Sequence, residues 1–261
     1  MALGAVAPPS SQRLTHSVRV TSVPGVRDPR EALQLHRWDV TPAEARALQF
    51  EWRERLELDD RTGRIRRVAG VDVAFDPPGK NGEAIAGVVV FSYPDWEELE
   101  CATARRPLAF PYVPGLLSFR EIPAILAALV SLSESPDLIF CDGQGYAHPR
   151  RFGLACHLGV LLDVPTIGCA KSRLIGEYRE PGHRAGSWTP LQDEGERIGA
   201  VLRTRDGSRP MCISCGHRVS LERAIALTLE ACDGRRVPRP TRRADRYVAQ
   251  IKREKHPRAC R

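Results

Sequence analysis

The chain has 261 residues, enough for one large domain with tails, and a core of that size needs no disulfide or metal staple. Its composition is 42% hydrophobic, yet no run approaches the ~20 consecutive apolar residues of a membrane span, and residues 1–9 lack a basic leader, so a cytoplasmic protein is expected. The net charge of +7 is uneven: residues 235–261 hold eleven Lys or Arg against Asp245 and Glu254, a net +9 that leaves −2 for the rest, which reads either as a phosphate-binding arm or as a solvated tail.

Residues 1–40 are rich in Pro, Ser and Arg without periodicity and are expected to form a mobile leader. Thr41, Pro42 and Glu44 match an N-cap, a first-turn proline and a capping-box glutamate. Ala45, Leu48, Trp52 and Leu56 then continue at helical spacing, predicting a helix to about Leu58. Strand-like runs follow over Val68–Phe75, Ile85–Phe91 and Glu98–Ala104, and antiparallel pairing of the three is predicted. Next come a helix over about Pro123–Ser133, a strand at Leu138–Cys141, a helix over Phe152–Leu162 and a strand at Thr166–Cys169. That alternation predicts parallel strands with helical crossovers. Strands at Gly199–Arg203 and Met211–Ser214 precede a helix over Ser220–Ala231. The fold class is α/β with a mixed sheet. Eight scattered cysteines, several in apolar runs, fit buried free thiols better than a disulfide scaffold.

Three acids stand out. Asp72 interrupts an otherwise apolar strand, where an unpaired carboxylate is costly unless a cation or a solvated edge accommodates it. Asp142 ends a strand and precedes Gly143 and Gly145, at the carboxyl-end position where α/β sheets bind ligands, although Asp-Gly is also a common turn. Glu121 fits a capping box with Ser118, but Pro123 then falls where a helical donor is needed, so a helix starting nearer Glu121 would free that carboxylate. Carboxylates on separate elements suit magnesium, which takes its remaining ligands from water and phosphate. Lys171 and His217 are candidate helpers, each with a bland surface or structural alternative.

The motifs occur in the order Gly70-Val-Asp72-Val-Ala-Phe75, Pro111-Tyr112-Val-Pro-Gly115 through Glu121, Asp142-Gly-Gln-Gly-Tyr-Ala-His148 through Gly153, Val164 through Lys171, and Gly216-His217-Arg-Val-Ser220. These blocks resemble the endonuclease V family of inosine-directed repair nucleases over about residues 42 to 245. The resemblance implies a ribonuclease H-like three-layer fold with a mixed five-stranded sheet flanked by helices. It implies a catalytic domain over 41–245, leaving the leader over 1–40 and a basic tail over 246–261 outside the family's pattern. Asp72, Glu121 and Asp142 correspond to the carboxylates that hold Mg2+, with Mn2+ able to substitute, and Lys171 and His217 to groups beside the metal and the scissile phosphate. Tyr112, Val113, Pro114 and Gly115 match a wedge that parts the duplex at the lesion; without the family they read as a turn. Leu117, Gly145, His148, Gly168 and Ala170 fall where the family builds a pocket for an everted hypoxanthine. The expected reaction cuts the second phosphodiester bond 3′ to deoxyinosine in DNA, leaving a 3′-hydroxyl and a 5′-phosphate, in a monomer with no membrane attachment. Gln144, Cys169 and Cys215 depart from the pattern without removing a metal ligand.

Inosine-containing RNA is an alternative substrate, since discrimination at the 2′-hydroxyl depends on contacts outside these motifs. A non-catalytic nucleic-acid-binding protein would predict loss of at least one of the three acids, and all are present. A zinc or thiol-redox site at Cys212 and Cys215 is disfavoured, because residues three apart on a strand face opposite ways.

Overall fold

The computed structural model describes residues 27–77 and 82–255. The elements run α1 (Pro29–Ala32), α2 (Pro42–Arg53), β1 (Arg67–Asp76), β2 (Glu83–Ser92), β3 (Glu98–Pro107), α3 (Ser118–Leu129), β4 (Leu138–Cys141), α4 (Leu154–Leu162), β5 (Thr166–Ala170), β6 (Trp188–Asp193), β7 (Glu196–Leu202), β8 (Met211–His217), α5 (Leu221–Cys232) and α6 (Arg239–Lys255). The strands form one sheet in the order β3-β2-β1-β4-β5-β8-β7-β6. β1, β2 and β3 pair antiparallel and β1, β4 and β5 pair parallel, as the sequence predicts. The expected five-stranded sheet is corrected to eight strands: β8, β7 and β6 continue it antiparallel beyond β5.

α3 and α4 cover one face, where Val71 and Cys141 meet Ile122, Leu126 and Leu158. α5 covers part of the other, packing Leu221 and Leu227 on Phe140 and Ile213. Cys212 and Cys215 fall into different clusters on β8, as their spacing requires. No described helix is long and apolar enough to cross a membrane.

Two segments set aside by the sequence reading belong to the fold. Of the expected leader, residues 27–40 pack on the body, while 1–26 lie outside the described residues. Of the basic segment, residues 239–255 form α6, whose Ala244 and Val248 are buried against β1 and β2; residues 256–261 lie outside the described residues. Its arginines are partly spent on the protein itself: Arg243 pairs with Glu98 at 2.8 Å and Arg239 with Asp233 at 2.8 Å. α3 also differs from expectation. It begins at Ser118 and contains Pro123, and Ser118 makes no capping bond. Burial explains the tolerance, because ten of its residues are buried and this packing outweighs one missing backbone donor.

The Ser118 hydroxyl is instead engaged with His157 Nδ1 at 3.1 Å, and His157 Nε2 lies 2.8 Å from His36 Nε2. His36 Nδ1 must donate to the Arg37 carbonyl at 2.8 Å, so His36 Nε2 accepts, His157 Nε2 donates, and Ser118 donates to His157. This one-directional chain needs both rings neutral, and burial lowers both pKa values, His157 well below the usual range. The unfolded chain binds protons below about pH 6.5 while the folded chain resists them, so this stability is present above that pH and lost as pH falls. Denaturant midpoints of the native protein and His157→Phe, compared at pH 7 and pH 5, should show the native protein losing more stability than the variant.

Candidate active site

Val71 on β1 is the register partner of Cys141 on β4, so Asp72 and Asp142, each one residue further, stand side by side at neighbouring parallel strands. Strand spacing puts their backbones about 5 Å apart. Asp142 follows the last residue of β4 and Lys171 the last of β5, both at the carboxyl edge of the parallel strands, the usual ligand-binding side of such sheets. Lys171 Nζ meets Asp142 Oδ2 at 2.5 Å. Burial opposes the lysine charge, but this hydrogen bond and the nearby acids hold its pKa above the usual value.

Glu121 enters from the first turn of α3 and is 8% exposed. Burial, then repulsion from Asp72 and Asp142, holds its carboxyl well above the usual range. Burial, then Asp142 and Asp245, pushes Asp72 up to about 7. Asp245 is the site residue that sequence reasoning missed. It was counted only as an acid in a basic tail, yet α6 brings it within electrostatic reach of Asp72 and Lys171. Its signal was an acid inside Arg242-Arg-Ala-Asp-Arg246, on a helix whose strongly one-sided polarity is itself readable.

His217 does not join this group. It lies on β8 opposite Thr166, the first residue of β5, whereas Lys171 follows the last. Four strand steps separate the ends of β5, about 13 Å. His217 is 2% exposed; its Nδ1 accepts the Glu57 N–H at 3.3 Å and its Nε2 faces Asp163 at 3.4 Å. These contacts tie the start of β5 to the segment after α2, and the catalytic expectation for His217 is replaced by a structural one.

Beside Asp142 and Lys171 opens a cavity of about 340 Å³ walled by Tyr112, Leu117, His148 and Ala170. Tyr112 stands 71% exposed at its rim, with Val113, Pro114 and Gly115 continuing the wall. Gly145 and Gly168 lie beneath rather than in it. A Cβ on Gly168 would stand 2.4 Å from the Gly145 nitrogen, and one on Gly145 would stand 2.1 Å from the Cys215 carbonyl oxygen. Their small size lets the cavity loop sit directly on β5 and β8. Gln144 also lines the cavity; its Nε2 donates to Ser172 at 2.9 Å, while its buried Oε1 has no protein partner.

Among the described residues no three acids close into a ready ligand cage, and Lys171 neutralises Asp142. The donor set nonetheless fits a hard divalent cation. Several carboxylates crowd one edge, and burial and mutual repulsion raise the pKa of two of them, Asp72 and Glu121, by disfavouring the charged form. A dication would reverse that preference.

The family model for Endonuclease V matches residues 50–246. Endonuclease V of Roseiflexus sp. (strain RS-1) is 53% identical over 208 residues, 80% of this chain and 92% of that protein. The crystal structure of Endonuclease V from Streptomyces avermitilis superposes with a TM-score of 0.79 at 47% identity, covering 84% of this chain and 96% of that one. Endonuclease V of Ciona intestinalis, in complex with a 24mer DNA containing an inosine followed by a ribo-adenosine, superposes with a TM-score of 0.71 at 27% identity, covering 82% and 98%.

An Asp72 pKa raised to about 7 has a measurable cost. The unfolded carboxyl ionises near 4 while the folded one keeps its proton to about 7, so stability present at low pH is lost as pH rises through that window. In EDTA, Asp72→Asn should be more stable than the native protein at pH 8 and lose that advantage by pH 4. Magnesium at pH 8 should raise the melting temperature of the native protein but not of the variant.

Proposed function

The chain belongs to the endonuclease V family, and from that premise we propose that it nicks DNA beside deoxyinosine at the second phosphodiester bond 3′ to the lesion, leaving the altered base in place. The observation that carries this reading is the convergence of Asp72, Glu121, Asp142 and Asp245 beside Lys171, next to a base-sized cavity with an exposed tyrosine at its rim. We take β3-β2-β1-β4-β5 as a ribonuclease H-like core and the remaining strands as an extension. The catalytic domain expected over 41–245 then gains residues 27–40 and the rest of α6 as packed flanks.

Asp72, Glu121 and Asp142 would hold magnesium, or manganese in its place, with Asp245 completing the negative field. When bound, such an ion supplies Lewis-acid stabilisation of the phosphate and makes water a competent nucleophile at neutral pH. Lys171, no longer needed to neutralise Asp142, would then have its ammonium free to meet charge developing on the scissile phosphate. Tyr112 and Pro114 form a rigid apolar probe that replaces the stacking partner of an everted base. The cavity receives that base, with Gln144 on its wall. The Ciona relative is bound to a DNA in which a ribo-adenosine follows the inosine, and inosine-containing RNA is the second substrate to test. A cytoplasmic monomer is the corresponding assembly and location.

The test is a labelled duplex with one deoxyinosine, incubated with magnesium or with EDTA beside an undamaged duplex and an inosine RNA. The nick should need magnesium, vanish in Asp72→Ala and Asp142→Ala, and leave 3′-hydroxyl and 5′-phosphate ends. Asp245→Asn should slow it by roughly ten- to hundredfold, the usual effect of a residue acting through the metal ligands. Tight binding without cleavage of either nucleic acid would overturn the enzymatic reading.

A further inference from the structure

The Gly115 carbonyl, at the end of the rim loop, accepts three hydrogen bonds. Gln49 Nε2 donates at 3.0 Å, His148 Nε2 at 3.0 Å and Arg150 Nη2 at 2.8 Å. The donors also hold one another. Arg150 Nε donates to Gln49 Oε1 at 2.5 Å, and His148 Nδ1 accepts the Arg150 backbone N–H at 3.2 Å. Because His148 Nε2 faces a carbonyl it must carry the proton, which leaves Nδ1 free to accept. Burial and the Arg150 charge lower the His148 pKa to about 4, so this neutral arrangement persists across physiological pH. Gln49 is 1% exposed on α2 and spends its second amide hydrogen on the Phe152 carbonyl at 3.0 Å. Gly115 has φ +76°, and a Cβ there would stand 2.8 Å from Arg150 Nη2, so glycine serves both the turn and the approach of the guanidinium. Behind the loop, Leu116 and Phe110 pack on Ala45 of α2.

We propose that Gln49, Arg150 and His148 form a clamp on the Gly115 carbonyl that fixes the angle at which Tyr112 meets the duplex, making Gln49 and Arg150 positioning residues for strand opening. The inference rests on the wedge reading of Tyr112 above. A carbonyl has two lone pairs, so a third donor adds rigidity rather than satisfaction, and this concentration of donors falls on the one backbone atom that ends the exposed Tyr112 loop. Rigidity there matters because a wedge must push against stacking. A loop free to swing would yield instead of opening the base step. Gln49 is 1% exposed and also borders the cavity; loss of a cavity contact would slow nicking of duplex and single strand alike, whereas loss of the clamp slows the duplex selectively.

The experiment compares nicking of deoxyinosine in a duplex and in a single-stranded oligonucleotide, which needs no opening. Gln49→Leu removes both donors at nearly constant volume, and Arg150→Lys keeps the charge but replaces two directed guanidinium donors with one freely rotating ammonium. Circular dichroism and melting temperature certify each variant, and the less disruptive Arg150→Lys carries the test if Gln49→Leu fails to fold. Both variants should lose roughly ten- to hundredfold on the duplex, the scale of a small misplacement, while single-strand nicking stays within about threefold. Tyr112→Ala should lose more on the duplex than on the single strand, where only its contact with the everted base is at stake. Parallel loss on both substrates, or no loss on either, overturns the clamp. Duplex-selective loss in Tyr112→Ala alone overturns the clamp and leaves the wedge standing. No selectivity in Tyr112→Ala overturns the wedge itself.

Discussion

Like charges gathered in a half-dry crevice are the constraint from which the rest of this structure follows. Asp72 and Asp142 are forced into adjacency by the register of two parallel strands, and neither can leave without breaking the sheet. Glu121 and Asp245 reach them from α3 and α6, so each helix that covers the neighbouring strands also adds an acid. No folding advantage accounts for that arrangement, since desolvation and repulsion both act against the charged forms. The protein contains the cost in two ways. Lys171 supplies one cation at the open side, and the raised pKa values of Asp72 and Glu121 make their uncharged forms easier to reach. A dication bound there would remove the repulsion and free the lysine together.

How much of this was legible follows from how local each signal is. Asp72 and Asp142 could be found because a carboxylate in or just after an apolar strand violates burial rules within a few residues. The parallel core could be found because short apolar strands alternate with helices. Asp245 could not be ranked, since its meaning comes from where α6 docks, and the surrounding arginines made the segment read as a tail. β6 was missed because it is a mostly exposed edge strand containing Pro190, without the clean alternation of a half-buried strand. His217 misled for the converse reason. It sits in a well-formed motif, but a motif fixes neighbours in sequence and not which end of a strand they occupy. Pro123 argued against a helix start that packing imposed anyway.

The unexpected strands then explain something the core cannot. The loop from Gly143 to Gly153 carries the cavity wall and two of the three donors on Gly115, yet it has little regular structure of its own. Its backbone is pinned to β8, with Tyr146 N–H on the Cys215 carbonyl at 2.7 Å and Gly145 N–H on Ser214 Oγ at 2.9 Å. Its far end is pinned to the β6–β7 hairpin. Arg151 pairs with Asp193 at 2.9 Å and with Glu196 at 2.7 Å, and the Tyr146 hydroxyl donates to Glu196 at 2.6 Å.

Arg151 adopts a left-handed backbone, φ +56°, a conformation a non-glycine residue keeps only where its surroundings hold it. Those ion pairs provide the hold, and they set the chain direction one residue after Arg150. The extension beyond β5 thus reaches the rim loop in two steps: hairpin to Arg151, then Arg150 and His148 to the Gly115 carbonyl. On the other side α2 reaches the same carbonyl through Gln49. The acids are placed by strand register, which tolerates no slip. The cavity and its rim are placed by side chains drawn from the two margins of the fold. Such a division lets the cavity and its rim vary in stiffness or shape without displacing the carboxylates.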